Sequence, residues 1–341
     1  MPILTFKPNK VTKQLISCLK DRTADILIQR FGLAGNESKT LEAIGDKYGI
    51  TRERIRQIIN FSFDLIKNNP VYESYDSVFA ELTSHLRGKG KIVAEHDILE
   101  HLAGKNEEKN HIYFLLSLVD DFTKMKEDEE FHHRWTIDET EAEKVHNLLR
   151  VLHGEFDEEK LMTENEILEF LRNKGEKTIG VKIDENTLRS WLSLSKVVGS
   201  NALGEWGHRM SANIKPRGVR DLAFLVLRKE GTPMHFQEVS GKIKSYFSRE
   251  AHPATVHNEL IKDKRFVLVG RGLYALGDWG YNYGTVREVI KSILKDSGPI
   301  TKEDVIKRVL KERYVKENTI LVNLQNRSHF KRNKDGKYIV S

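Results

Sequence analysis

Three stretches of this chain align without a gap. Thr187, Thr255 and Thr319 are followed after five residues by Leu192, Leu260 and Leu324, after eleven by Val198, Phe266 and Phe330, and after nineteen by Trp206, Tyr274 and Tyr338. This repeat constrains the fold more than any other feature, because it demands an array of small units rather than one large core. Each threonine reads as the cap of a helix, and the apolar residues after it as a face turned to the core. Phe266 and Tyr274 bracket FVLVGRGLY, two strands around Gly270-Arg271-Gly272. Phe330 and Tyr338 bracket FKRNKDGKY, with Asp335-Gly336 as the turn. Helix, helix and β-hairpin in that order are the winged-helix pattern. A weaker fourth copy falls at 91–137, where Ile98 and Leu99 mark one helix, HIYFLLSLVDDF the next, and Phe131 and Trp135 are expected on the wing. Since their positions recur with the pattern, Phe266, Tyr274, Phe330, Tyr338 and Trp206 read as core rather than as platforms for bases.

Composition agrees with such an array. The chain of 341 residues suits two or more domains, and 39% hydrophobic content suffices for several small cores. A lone cysteine, Cys18, excludes an internal disulfide framework and a cysteine-based metal knuckle, and its setting in LISCL reads as a packed thiol. No apolar run approaches the ~20 residues of a spanning helix, and MPILTFKPNK does not read as a leader. A reduced cytoplasmic setting, with nucleoid association, is the expectation. The net charge of +6 hides a strong asymmetry: residues 1–70 carry +5, residues 71–214 carry −11 and residues 215–341 carry +12. A basic surface exchanges counterions for DNA phosphates and an acidic one repels them, so the ends read as nucleic-acid binding and the middle as serving another role.

The segment TLEAIGDKYGITRERIRQIINFSFDLIK, Thr40 to Lys67, has helix-turn-helix form. Leu41, Ile44 and Tyr48 share one helical face, Gly49 supplies the turn and Thr51 caps a second helix. On that helix Ile55, Ile58, Ile59, Ser62, Phe63 and Ile66 lie on one side, with Arg52, Glu53, Arg56, Gln57 and Asn60 on the other. Arginine matches the guanine O6/N7 edge, glutamine matches adenine, and glutamate accepts from cytosine N4. Arg54 lies beside this face, within reach of a phosphate.

DRTADILIQRFGL (Asp21 to Leu33), TLEAIG and ITRERIRQI together resemble region 4 of the sigma-70 family, over about residues 17–67. The resemblance implies reading of the −35 promoter element and docking on the RNA polymerase β-flap. It implies that Arg52, Glu53, Arg56 and Gln57 contact bases or backbone, with Thr40 and Leu41 opening the supporting helix near the phosphates. Two departures stand out. The family's basic continuation after this helix reads Phe61, Phe63, Asp64 and Leu65 here, and nothing resembles the family's −10-reading, strand-melting region. Further on, VRDLAFLVLRKEGTPMHFQEVSGKI, Ala254-Thr255-Val256 and Arg265-Phe266…Gly270-Arg271-Gly272…Tyr274 resemble the HARE-HTH domain, a winged helix also found in the RNA polymerase δ subunit, over about 219–281. That resemblance implies transcription regulation or DNA recognition. Lys262, Lys264, Arg265 and Arg271 are the phosphate candidates of this module. Arg327, Lys331, Arg332, Lys334 and Lys337 are those of the last.

No H-E-x-x-H, Walker A or G-x-S-x-G run is present, and His132-His133 and His96…His101 have spacings poorly suited to a shared metal. No catalytic residue, metal, cofactor or small-molecule substrate is assigned. The expected architecture is mainly α: a sigma region-4-like helix-turn-helix at 1–70, an acidic helical or degenerate winged-helix module at 71–153, and winged helices at 154–214, 215–283 (HARE-HTH-like) and 284–341. The expected function is a non-enzymatic, sigma-like transcription regulator, with double-stranded DNA and RNA polymerase as partners. The alternative is a DNA-recognition or architectural subunit of a defence, restriction or DNA-packaging system. The DNA-contacting candidates are Thr40, Leu41, Thr51, Arg52, Glu53, Arg54, Arg56, Gln57, Lys264, Arg265, Arg271, Lys331, Arg332 and Lys334.

Overall fold

A computed structural model describes residues 4–35, 37–103, 106–157, 159–180 and 182–341. The chain forms two units, Met1–Gly199 with Trp206–Arg209, and Ser200–Glu205 with Met210–Ser341.

The first unit opens with α1 (Pro8–Ile16), α2 (Asp21–Phe31), α3 (Leu41–Tyr48), α4 (Arg52–Lys67) and the short α5 (Pro70–Glu73). Two modules follow in one order: α6 (Asp76–Gly88), β1 (Ile92–Ala94), α7 (Glu95–Leu102), α8 (Asn106–Leu118), β2 (Thr123–Met125) and β3 (Arg134–Thr136), then α9 (Glu139–His153), β4 (Leu161–Thr163), α10 (Glu164–Ile179), α11 (Glu185–Leu192), β5 (Val198–Ser200) and β6 (Glu205–His208). The second unit repeats the order as α12 (Val219–Glu230), β7 (Met234–His235), α13 (Phe236–Phe247), α14 (Pro253–Lys262), β8 (Phe266–Gly270) and β9 (Leu273–Leu276). It ends with α15 (Val286–Ser297), α16 (Lys302–Glu312), α17 (Glu317–Leu324), β10 (Phe330–Arg332) and β11 (Tyr338–Val340).

All four modules carry their last strand in the centre of the sheet. The orders are β1-β3-β2, β4-β6-β5 and β7-β9-β8, and in the last module Ile300 bridges to Tyr338 beside the β10–β11 pair. The repeated aromatic marks that central strand: Tyr274 faces Met234 on one side and Leu268 on the other, and Tyr338 faces Ile300 and Arg332. A residue flanked by two strands is covered on both edges, so a large side chain recurs there. Tyr274 and Tyr338 are buried and Trp206 is half-buried, and the strand starts Val198, Phe266 and Phe330 are buried too. The fourth copy is complete as well, with Trp135 in central β3 between Val93 and Lys124.

Several expectations need correction. Thr187, Thr255 and Thr319 are each the third residue of their helices, not the caps. Asp184 and His252 cap α11 and α14 with side-chain acceptors, and Lys316 precedes α17. Phe131 does lie on the wing, in the β2–β3 connection, but it does not project into solvent: it is fully buried, and its backbone bridges to Ser195 of the next module. The Cys18 thiol is exposed and donates to the Leu15 carbonyl. The expected break after residue 153 falls inside a packed body, because Ala142, Val145, Leu149 and Leu152 of α9 share one core with Leu171 of α10 and Leu188 of α11.

Nor is the opening segment separated from the module after it. Ile26, Ile44 and Ile55 belong to the same core as Leu82, Ile98 and Phe114. Phe63 stacks on Phe31 at 5.9 Å, and both meet Phe114 edge-on at 5.9 and 5.3 Å. Within the apolar continuation of α4, Phe63 is therefore the residue at the seam to a neighbouring module, while Phe61 and Leu65 stay exposed. Strand β1 joins the cores in turn. By the two-residue strand period, Val93 faces this first core while Ile92 and Ala94 face the second.

Candidate nucleic-acid interface

Helices α3 and α4 form a tightly turned pair. Thr40 caps α3 by accepting from the Ala43 amide at 3.1 Å, and Thr51 caps α4 by accepting from the Arg54 amide at 3.2 Å. Between them Gly49 takes φ +66°, and a side chain at Gly45 would meet the Ile50 carbonyl at 2.5 Å, so the turn closes only on glycine. Ile55, Ile59, Ser62 and Ile66 repeat at helical spacing and are buried. That fixes the rotation of α4 and leaves Arg52, Glu53, Arg54, Arg56 and Gln57 exposed on its N-terminal half, with Thr51 and Thr40 exposed and Leu41 half-buried nearby.

These side chains engage each other. Arg56 bonds Glu53 through two nitrogens, at 2.9 and 2.7 Å, and Arg54 donates to Gln57 Oε1 at 3.1 Å. The Arg56 guanidinium holds the Glu53 carboxyl below the usual carboxylate range. Solvent-exposed pairs of this kind are weak, so these side chains are held only loosely. The supporting helix is tied down by the Asp25 carboxylate of α2, which accepts from Lys47 at 3.0 Å and from the Tyr48 hydroxyl.

The candidates in the second unit divide. Lys262 and Lys264 are exposed, and Arg271 stands at the wing tip between Gly270 and Gly272. Arg265 does not join them. Its guanidinium bonds both oxygens of Asp263 and reaches the buried Asp221 at 3.1 Å, with Phe224 stacked at 4.8 Å. It ties α12 to the start of β8. In the last module Arg327, Lys331, Lys334 and Lys337 are exposed, while exposed Arg332 lies over Tyr338 and donates to its hydroxyl at 2.8 Å.

Sequence reasoning missed which module surfaces remain open. The helix before each hairpin is covered in the first unit. α8 packs on α1 and α2, and α11 lies against β1, with Thr187 and Trp191 buried and the Trp191 indole donating to the Gly90 carbonyl at 3.2 Å. In the second unit α14 and α17 bury only Val256, Leu260, Ile320 and Leu324, and leave Thr255, Asn258, Lys262, Thr319 and Val322 in solvent. The periodicity of each helix is visible in sequence, but what covers its outer face depends on contacts far along the chain. Among the described residues no group of three or more histidine, cysteine or carboxylate side chains could hold a metal, although His96, His132 and His133 line one surface cleft. No helix among them is long and apolar enough to cross a membrane.

Residues 15–68 match the model of sigma-70, region 4. Residues 218–279 match that of HARE-HTH, a helix-turn-helix domain named in part for restriction endonucleases. Over 56 residues the chain is 43% identical to the RNA polymerase principal sigma factor HrdD of Streptomyces griseus, covering 16% of this chain and 17% of that protein. Over 50 residues it is 46% identical to the RNA polymerase sigma factor RpoD of Neisseria gonorrhoeae, covering 15% and 8%. Over 40 residues it is 55% identical to the RNA polymerase sigma factor RpoS of Coxiella burnetii, covering 12% and 11%. The chain thus spans less than a fifth of the length of these relatives. The opening segment is a sigma-like helix-turn-helix of a DNA-binding class, set on a mainly helical body of winged modules.

Proposed function

We propose that the chain is a non-enzymatic, sigma-like regulator that acts on or with bacterial-type RNA polymerase in the cytoplasm, at the nucleoid. α4 enters the major groove of a −35-like element. Arg52, Glu53, Arg56 and Gln57 meet base edges, while Arg54 and the start of α3 meet phosphates. The exposed helices and wings of the second unit hold flanking duplex through Lys264, Arg271, Lys331 and Lys334, and RNA polymerase, by its β-flap or another subunit, is the protein partner. The observation that carries this reading is the polar flank of α4, exposed on a capped, glycine-closed pair of helices within the segment that matches sigma-70 region 4.

A footprint on duplex carrying a −35-like element tests it. Arg52→Ala with Gln57→Ala is expected to weaken sequence-selective protection by about 1–3 kcal/mol for each base no longer read, and polymerase subunits are expected in a pull-down from native extract. An unchanged footprint contradicts the base-reading role. A second reading is favoured by the match of residues 218–279 to a domain named in part for restriction endonucleases: a DNA-recognition subunit of a defence or packaging system. It predicts DNA binding with no polymerase in the pull-down.

A further inference from the structure

The first unit holds a cavity of about 540 Å³ lined by α1, α2, the turns after them, and α8. That volume is on the scale of small-molecule sites. Ile16, Leu19, Ile28 and Leu33 give it apolar walls, and Lys13 and Asp21 contribute one charge of each sign. Two other lining residues are unusual. Thr12 is 1% exposed and His111 7% exposed, and Thr12 Oγ1 and His111 Nδ1 are buried with no hydrogen-bond partner. Buried polar atoms in folded proteins are almost always bonded, and an orphan carries an uncompensated desolvation cost. Here the residues that carry the two orphans stand on different helices, α1 and α8, and both line the same cavity.

We propose that this cavity binds a small uncharged amphiphile with an aliphatic body and an amide or alcohol head. The head satisfies Thr12 Oγ1 and His111 Nδ1, and the body lies along Ile16, Leu19, Ile28 and Leu33. An amide fits both atoms, since its N–H donates to an imidazole nitrogen and its carbonyl accepts from a hydroxyl. Net charge is disfavoured because Lys13 and Asp21 cancel. Burial also holds the His111 ring below the ordinary histidine value, hence neutral near pH 7. The site joins α1 and α2, the latter packed on the helix-turn-helix pair α3 and α4, to α8 of the first winged module, so its occupant bridges them. The inference stands independently of the transcriptional reading.

Octanamide is the probe. It is titrated into the full chain at pH 7.5 by calorimetry, with histidine ring carbons observed by NMR and His111 assigned by the signal that disappears in His111→Phe. The expected result is saturable one-to-one binding that moves the His111 resonance, with octanoate and octylammonium binding more weakly. Thr12→Val is expected to weaken octanamide by about tenfold, the scale of one hydrogen bond. This near-isosteric change removes an unpaired hydroxyl, so the ligand-free variant melts no lower than the parent, which separates weakened binding from weakened folding. Absence of saturable binding up to the solubility limit overturns the proposal. So does equal binding by Thr12→Val, or by octanoate.

Discussion

The same helix meets opposite fates in the two units. α11 and α17 occupy the same place in the repeat and both end on a buried leucine, Leu192 and Leu324. Yet α11 is pressed against β1 of its neighbour, and α17 keeps its outer face in water. α8 and α14 form a second such pair. Charge follows the same division, with −11 over residues 71–214 and +12 over residues 215–341. Where the winged module has been turned into a packing element, the surrounding surface is free to be acidic; where the helix is left open, the surface is basic. A shared fold thus says little about whether a module touches DNA, and coverage of one helix says more.

The largest way to break the comparison is to unseat the covered helix. Trp191→Ala removes a side chain only 2% exposed together with its bond to Gly90, and is expected to destabilise the first unit by about 3–5 kcal/mol. Val322→Ala, on the open face of α17 at 58% exposure, is expected to change stability by no more than about 0.5 kcal/mol. Calorimetry on both variants decides the matter, and comparable losses would erase the distinction.

Acid comes next. Burial holds His111, His146 and His153 of the first unit below their ordinary value of 6.5. His146 Nε2 also accepts from the buried Arg134 at 2.8 Å, a bond that protonation destroys. As pH falls below about 6.5 the unfolded chain takes up protons that the folded unit refuses. The stability these groups contribute is therefore complete above that value and drains as pH falls through the folded ones. In the second unit the shifted histidine is the surface residue His329. Between pH 7.5 and 5.5 the protection of amides from exchange, taken relative to the intrinsic rate at each pH, should fall in the first unit well before the second, and an equal fall in both would contradict this.

How far the sequence led, and where it stopped, follows one physical line. The module pattern was readable because Leu192, Leu260 and Leu324, and the central-strand aromatics, are set by contacts within a module, and such contacts leave a period. α4 was readable for the same reason, its isoleucines fixing which flank is exposed. What failed depended on contacts between modules or on pairings distant in sequence. Phe131 bridges to Ser195, and Phe63 packs on Phe114. Neither pairing has a local signature. The threonines misled because a β-branched hydroxyl residue three positions into a helix looks like a cap when helix starts are not yet known.

The phosphate term sharpens the comparison further. Lys331→Ala with Lys334→Ala should lower the slope of log affinity against log salt by about 1 for each phosphate no longer neutralised, roughly equally for all duplex sequences. Lys144→Ala with Lys174→Ala, removing basic residues within the acidic stretch, should leave the slope unchanged. The smallest effect concerns caps. Thr51→Ala should cost about 1 kcal/mol, whereas Thr319→Ala, exposed and third in its helix, should stay within about 0.5 kcal/mol by thermal denaturation.

Hydrogen exchange with and without saturating duplex DNA, at neutral pH and low salt, addresses the division between open and covered helices most directly. Slowing is expected along α4, α14 and α17 and at the wing around Arg271, with α8 and α11 unchanged. Slowing at α8 or α11, or none at α14 and α17, would contradict it.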